Sequence, residues 1–151
     1  MIKKLSYQVG SRTKALELMY LLRNIKKVVR QGYYADELHR VQQFCKQEDL
    51  HLVKSKFKVL LGGDQFYSNK GLRVQEDHKD GMHFVYISKD EKSALMTSFF
   101  ELVNNHVELG KLLGYPECCI RFFVNTFSKK NPNPEIQSNN PFTNISLRQE
   151  D

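Results

Sequence analysis

Leu112-Leu113-Gly114-Tyr115-Pro116-Glu117-Cys118-Cys119-Ile120-Arg121-Phe122-Phe123 is the stretch on which the C-terminal half of the fold turns. It holds two of the three cysteines and the only proline before the tail. Its order suits a joint between two helices. Gly114 can take the left-handed conformation that ends one helix. Tyr115 precedes a proline and is pushed out of the helical region. Pro116 suits the first position of the next helix, where no amide donor is needed. Both cysteines then fall in that helix's first turn.

Working upstream, Ser88-Lys89-Asp90-Glu91 matches a capping box. It predicts the longest helix of the chain, over residues 89–113. Leu95, Phe99, Leu102, His106, Leu109 and Leu113 recur at spacings of four and three along one face, broadened by Ala94, Met96, Phe100, Val103 and Val107. The stripe predicts a central core helix.

Before it the periodicity is that of strands. Val53, Phe57, Val59 and Leu61 share one parity, and Lys54, Lys56 and Lys58 the other, so one face is buried and one wet. Turn signals at Gly62-Gly63-Asp64 and Ser68-Asn69-Lys70-Gly71 lead to a weak strand at Leu72–Gln75 and a stronger one at Met82–Ile87. The expectation is a three-stranded antiparallel meander. His78 and His83, with Asp77 and Asp80, read as a polar turn and a strand residue rather than a metal cluster.

The N-terminal third carries the charge. Residues 1–34 hold eight bases and one acid, a balance of +7; the other 117 residues hold fifteen bases and sixteen acids, a balance of −1. Leu18, Leu21, Leu22, Ile25, Val28 and Val29 predict an amphipathic helix over residues 13–30, with Arg23, Lys26, Lys27 and Arg30 on the opposite arc. That arc reads as a solvated basic face or as a contact for phosphate or acidic lipid. Gln31-Gly32 is expected to end it. A second helix follows from Asp36 to Glu48, with Cys45 on its apolar face as a small buried hydrophobe.

The 151 residues suit one domain, over 1–130, followed by an irregular tail over 131–151 with three prolines and five asparagines, docked through Phe142, Ile145 and Leu147. No apolar run approaches the length of a membrane span, and the N-terminus lacks the apolar core of a signal peptide. Three cysteines do not make a disulfide framework. A reducing cytoplasm is the expected setting.

The chemistry on offer sits at the cysteine pair. Thiols in a first helical turn feel the positive end of the helix, and Arg121 adds a nearby charge. Glu117 opposes both, so a moderate lowering of the thiol pKa is expected. The pair has no C-x-x-C spacing, and a vicinal disulfide closes a strained eight-membered ring, which disfavours a thioredoxin-like mechanism. Structural zinc takes four ligands where the pair supplies two. If the helices fold back at residues 114 and 115, Cys118 faces Lys111 and Cys119 faces Gly110. His106 then sits near Phe122 and Phe123, too deep to be a third ligand. A metal therefore stays open, and tight helix packing around small cysteines is the rival reading.

Residues 112–123 resemble the signature of an uncharacterised, largely archaeal, prokaryotic family, domain-of-unknown-function family 483, with its Gly-Tyr-Pro-x-Cys-Cys core. The matching positions are Gly114, Tyr115, Pro116, Cys118 and Cys119, followed by Phe123. The resemblance covers about a dozen residues and implies no activity. Some members carry further cysteines downstream after a histidine, and this sequence has none there.

The expected fold is α+β: two N-terminal helices, a small antiparallel sheet, then a long helix joined to a shorter one at Gly114–Pro116. The expected function is a thiol-bearing cytoplasmic domain acting on a small molecule or metal at Cys118 and Cys119, with Tyr115, Glu117 and Arg121 as binding residues. No reaction is named by these residues. The alternative is an RNA-binding or adaptor module using the N-terminal basic helix, with Arg23, Lys26, Lys27 and Arg30, and the Lys54/Lys56/Lys58 face.

Overall fold

A computed structural model describes residues 1–61 and 72–127. In chain order these form α1 (Ile2–Val9), α2 (Arg12–Leu22), β1 (Val28–Tyr33), α3 (Leu38–Gln47), β2 (His51–Leu60), β3 (Leu72–Gln75), β4 (Met82–Ser88), α4 (Glu91–Leu102), α5 (His106–Leu112) and α6 (Glu117–Thr126). The expected α+β class holds. The tail over 131–151, with Phe142, Ile145 and Leu147, and the turns at 62–64 and 68–71 lie outside the described residues.

The predicted helix over 13–30 stops at Leu22. Asn24 takes a left-handed conformation, with φ 60°, and the Ile25 amide donates to the Tyr20 carbonyl. Beyond this turn Val28 and Val29 enter a strand. β-branched residues are favoured there, and successive side chains point to opposite faces. Both are buried, Val28 beside Tyr86 and Ala94, Val29 beside Val85 and Ile87. A valine pair sealed on both faces mimics, in sequence, a helical stripe. Gln31 and Gly32 accordingly lie inside β1 and end nothing. A Cβ at Gly32 would run into the Met82 side chain, so glycine lets that side chain lie close over the strand.

The sheet is not a meander. Its order is β1-β4-β2-β3, with all neighbours antiparallel. β4 pairs Val28 through Tyr33 on one side and β2 on the other, which leaves β3 at the edge. The β2–β4 ladder shifts register between Lys54 and Lys58. There the buried Ser55 hydroxyl donates to the Phe57 carbonyl at 2.6 Å and accepts from the Phe84 amide at 3.1 Å. Its side chain does the bonding that the interrupted backbone ladder cannot.

Helices cover both faces of the sheet. On one, α1–α3 bring Leu5, Val9, Ala15, Leu18, Leu21, Val41, Phe44 and Cys45 against Val29, Tyr33, Val85 and Ile87. Each fully buried Leu or Val here contributes on the order of 1.5–3 kcal/mol. On the other face lies α4, and it is turned the opposite way from expectation. Ser93, Ala94, Thr97 and Glu101 are buried against the sheet, while Leu95 and Phe99 remain 51% and 57% exposed. The small residues at positions 93, 94 and 97 let the helix backbone approach the strands closely, which the larger stripe would not. The N-cap is Asp90, accepting from the Ser93 amide at 2.8 Å, rather than Ser88, which ends β4 and donates to the Lys27 carbonyl.

The long helix over 89–113 is two helices. Asn104 adopts φ 57° and Asn105 caps α5 by accepting from the Glu108 amide at 3.2 Å. The side chain of Asn105 competes for backbone donors in the way that makes asparagine a helix starter.

Candidate functional site

The cysteine pair sits on the α5–α6 hairpin. Gly114 has φ 81°, and the Tyr115 amide donates back to the Gly110 carbonyl at 3.0 Å, closing the end of α5. Pro116 is the N-cap of α6, one position before the one expected, and its carbonyl accepts from the Cys119 and Ile120 amides. Cys118 and Cys119 therefore occupy the first turn of α6. Of the ten residues of α6 only Ile120 is buried. It fills the space over Gly110, where an added Cβ would lie 2.7 Å from the Ile120 side chain. Ile120, not Cys119, faces that glycine. The close approach of the two helices is thus built by an isoleucine and leaves the sulfurs outside it.

Tyr115, Glu117, Cys118, Cys119 and Arg121 are all exposed. The structure brings them together within the first turn and a half of α6 and the residues before it. Arg121 donates to Glu117 at 2.9 Å, an i,i+4 pair at the surface. Such a pair contributes little to stability, but it engages the guanidinium with a carboxylate instead of a thiol. The expected lowering does not hold for Cys119. A hydrogen bond with Cys118, and then the charge of that sulfur, hold the Cys119 thiol above the ordinary range. The pair thus gives up its second proton reluctantly. By contrast, burial pushes the Cys45 thiol up to about 12, and Cys45 is only 2% exposed.

His106 lies deeper in the hairpin, its ring 5.4 Å from that of Phe123 and 5.6 Å from that of Phe127. Phe123 and Phe127 stack on one another at 4.9 Å. The histidine belongs to an aromatic cluster at the base of the hairpin, about a turn from the sulfurs. Among the described residues no group of three or more His, Cys, Asp or Glu is placed to hold a metal ion.

The basic set is dispersed. Arg23 and Lys27 are exposed in the turn after α2, and Lys26 pairs with Glu17 at 3.3 Å. Arg30 lies on β1 beneath α4, bonded to Glu101 at 2.7 Å and lying over the Phe84 ring. These four do not form one helical arc.

Two polar arrangements escaped the sequence. Buried Glu101 accepts from both Arg30 and the Tyr86 hydroxyl, at 2.7 and 2.9 Å, while Arg73 donates to the Glu101 and Leu102 backbone carbonyls. The signal was an acid seven residues after Ala94 and four after Thr97, in register with small residues. The other is His83, buried on the face toward α1–α3, with neither ring nitrogen hydrogen-bonded among the described residues. Glu76, itself paired with Lys54, stands 3.7 Å from its Nε2. Burial first, then Lys54 and Lys58, lower the His83 pKa from its ordinary 6.5 against the opposing pull of Glu76. The imidazole is therefore neutral near pH 7.

Among the described residues no helix is long and apolar enough to cross a membrane. The chain matches no family model, no curated protein and no solved structure.

Proposed function

We propose that Cys118 and Cys119 are the working groups of this protein, a two-thiol site at the tip of a helical hairpin that binds or reacts with a soft, thiophilic partner. Selective exposure carries this reading. Both thiols face solvent while Cys45 is sealed in the core. Free cysteine is among the most buried residue types, so a pair held outside its own helix contact is poorly explained by packing. The raised pKa of Cys119 keeps that thiol protonated at neutral pH, hydrogen-bonded to Cys118. A bidentate ligand set forms when a soft atom displaces both protons. A metal ion would need its remaining ligands from elsewhere, since two sulfurs fall short of four. Tyr115, Glu117 and Arg121 border the pair and are the residues that a small-molecule partner would touch. The unpaired thiols fit a reducing, cytoplasmic setting. Membership of family 483 is proposed on the same positions, Gly114 through Cys119. Lys26 and Arg30 are engaged by Glu17 and Glu101, so Arg23, Lys26, Lys27 and Arg30, the four bases of the RNA-binding alternative, offer that reading less support than the cysteine pair offers this one.

The test is timed iodoacetamide exposure of the native chain, read by mass spectrometry. Modification is expected at Cys118 or Cys119 well before Cys45. A Cys118→Ser/Cys119→Ser variant should keep its stability within about 0.5 kcal/mol, as surface substitutions do. If neither thiol reacts until the chain unfolds, the pair is a packing device.

A further inference from the structure

The outer face of α4 is an exposed apolar stripe. Leu95, Met96, Phe99, Leu102 and Val103 are all exposed there, and Val107 of α5 extends the stripe. The solvent-facing area of these six side chains is on the order of 500 Å², near the top of the range for a patch on a monomer. It falls short of the roughly 800 Å² per partner of a stable interface. A patch of that size suits a short segment held nearby by the chain itself, because a tether raises its effective concentration to about millimolar.

The path of the chain supplies such a segment. α6 returns along α5, so that Phe127 packs against His106, three residues beyond Val103. The described chain therefore leaves α6 beside the C-terminal end of the stripe. Fourteen residues, 128 through 141, then precede Phe142. Extended, they reach up to about 45 Å, against roughly 18 Å for the whole of α4. Phe142, Ile145 and Leu147 follow within six residues and form the densest apolar group of the tail, whose other large apolar side chain is Ile136. We infer that the segment Phe142–Leu147 docks on the outer face of α4, covering Leu95, Phe99 and Leu102, and that this face is an intramolecular docking surface.

Phe99→benzoylphenylalanine in the full chain provides the test, since the side chain is exposed and the probe is aromatic. Irradiation at low micromolar concentration, followed by digestion and mass spectrometry, should yield a crosslink within one chain to the peptide containing Phe142–Leu147. That crosslink should be lost when Phe142→Ser, Ile145→Ser and Leu147→Ser are combined. A crosslink between two copies, a crosslink to any other segment, or none at all overturns the inference. An independent measurement uses the chain without the probe. The same triple substitution should raise binding of an apolar fluorescent dye several-fold, and unchanged dye binding also overturns it.

Discussion

The two faces of the one sheet are closed in different ways. Toward α1–α3 the seal is aliphatic and aromatic, with Leu18, Leu21, Val29, Val41, Val85 and Ile87 almost fully withdrawn from water. Toward α4 the fully buried apolar cluster is smaller, Val28, Tyr86 and Ala94 with Val53 and Phe84 packed against it and Phe57 edge-on to Phe84, and beside it lie Ser93, Thr97 and a carboxylate held by Arg30 and Tyr86. The first face is stabilised by area, a term that accumulates side chain by side chain. The second depends on polar groups that each gain little net free energy when satisfied and cost more when one partner is lost. α4 keeps its large apolar residues for the outside, so they add nothing to the layer beneath.

The largest effect should come from the apolar face. Leu18→Ala is expected to lower unfolding free energy by about 3 kcal/mol, the cost of a core leucine truncation, measured by urea denaturation. Next comes the polar face. Tyr86→Phe removes one hydrogen bond to a buried carboxylate and should cost about 2 kcal/mol, leaving Glu101 with Arg30. If Tyr86→Phe costs as much as Leu18→Ala, the contrast between the faces breaks down.

The smallest effect is a slope with pH. The folded-state pKa of His83 lies below the ordinary 6.5, so the native state binds its proton less readily than the unfolded chain. The stability that this contributes is fully present above about pH 6.5 and is lost as pH falls toward the lowered native value. Burial is the first cause of the shift, Lys54 and Lys58 add to it, and Glu76 opposes it. Melting temperatures from pH 7.5 down to 5 should therefore fall, and His83→Phe should flatten that fall. An unchanged slope in the variant would assign it to other groups.

Legibility in the sequence followed these same two modes of closure. β2, β3, β4 and α3 were readable because alternation and a compact stripe report burial on one side. α4 was readable as a helix but not in its facing. Counting large apolar residues picks Leu95, Phe99 and Leu102, whereas the sheet selected the small side chains at 93, 94 and 97. β1 was missed because a strand covered on both faces has no alternation, and Val28-Val29 beside Ile25 mimics a helical stripe. The α5–α6 joint was read nearly to the residue, since glycine and proline restrict the backbone locally whatever packs around them. Arg30 and Glu101 stand seventy-one positions apart, and nothing local announces a pair at that separation.

The strand order also sets a timetable for assembly. β4 is the last of the described strands to be made, yet it lies between β1 and β2 and joins them. A nascent chain that has reached Leu60 has both flanking strands and no centre to pair them. Loop closure across some fifty residues must precede the β1–β4 ladder, the kind of non-local contact that slows folding. Until Ser88 has emerged, Val29 and its helical covering have only half a wall to pack against. Substitutions in Met82–Ser88 should then act on the folding rate, while those in the late hairpin of α5 and α6 act on unfolding alone.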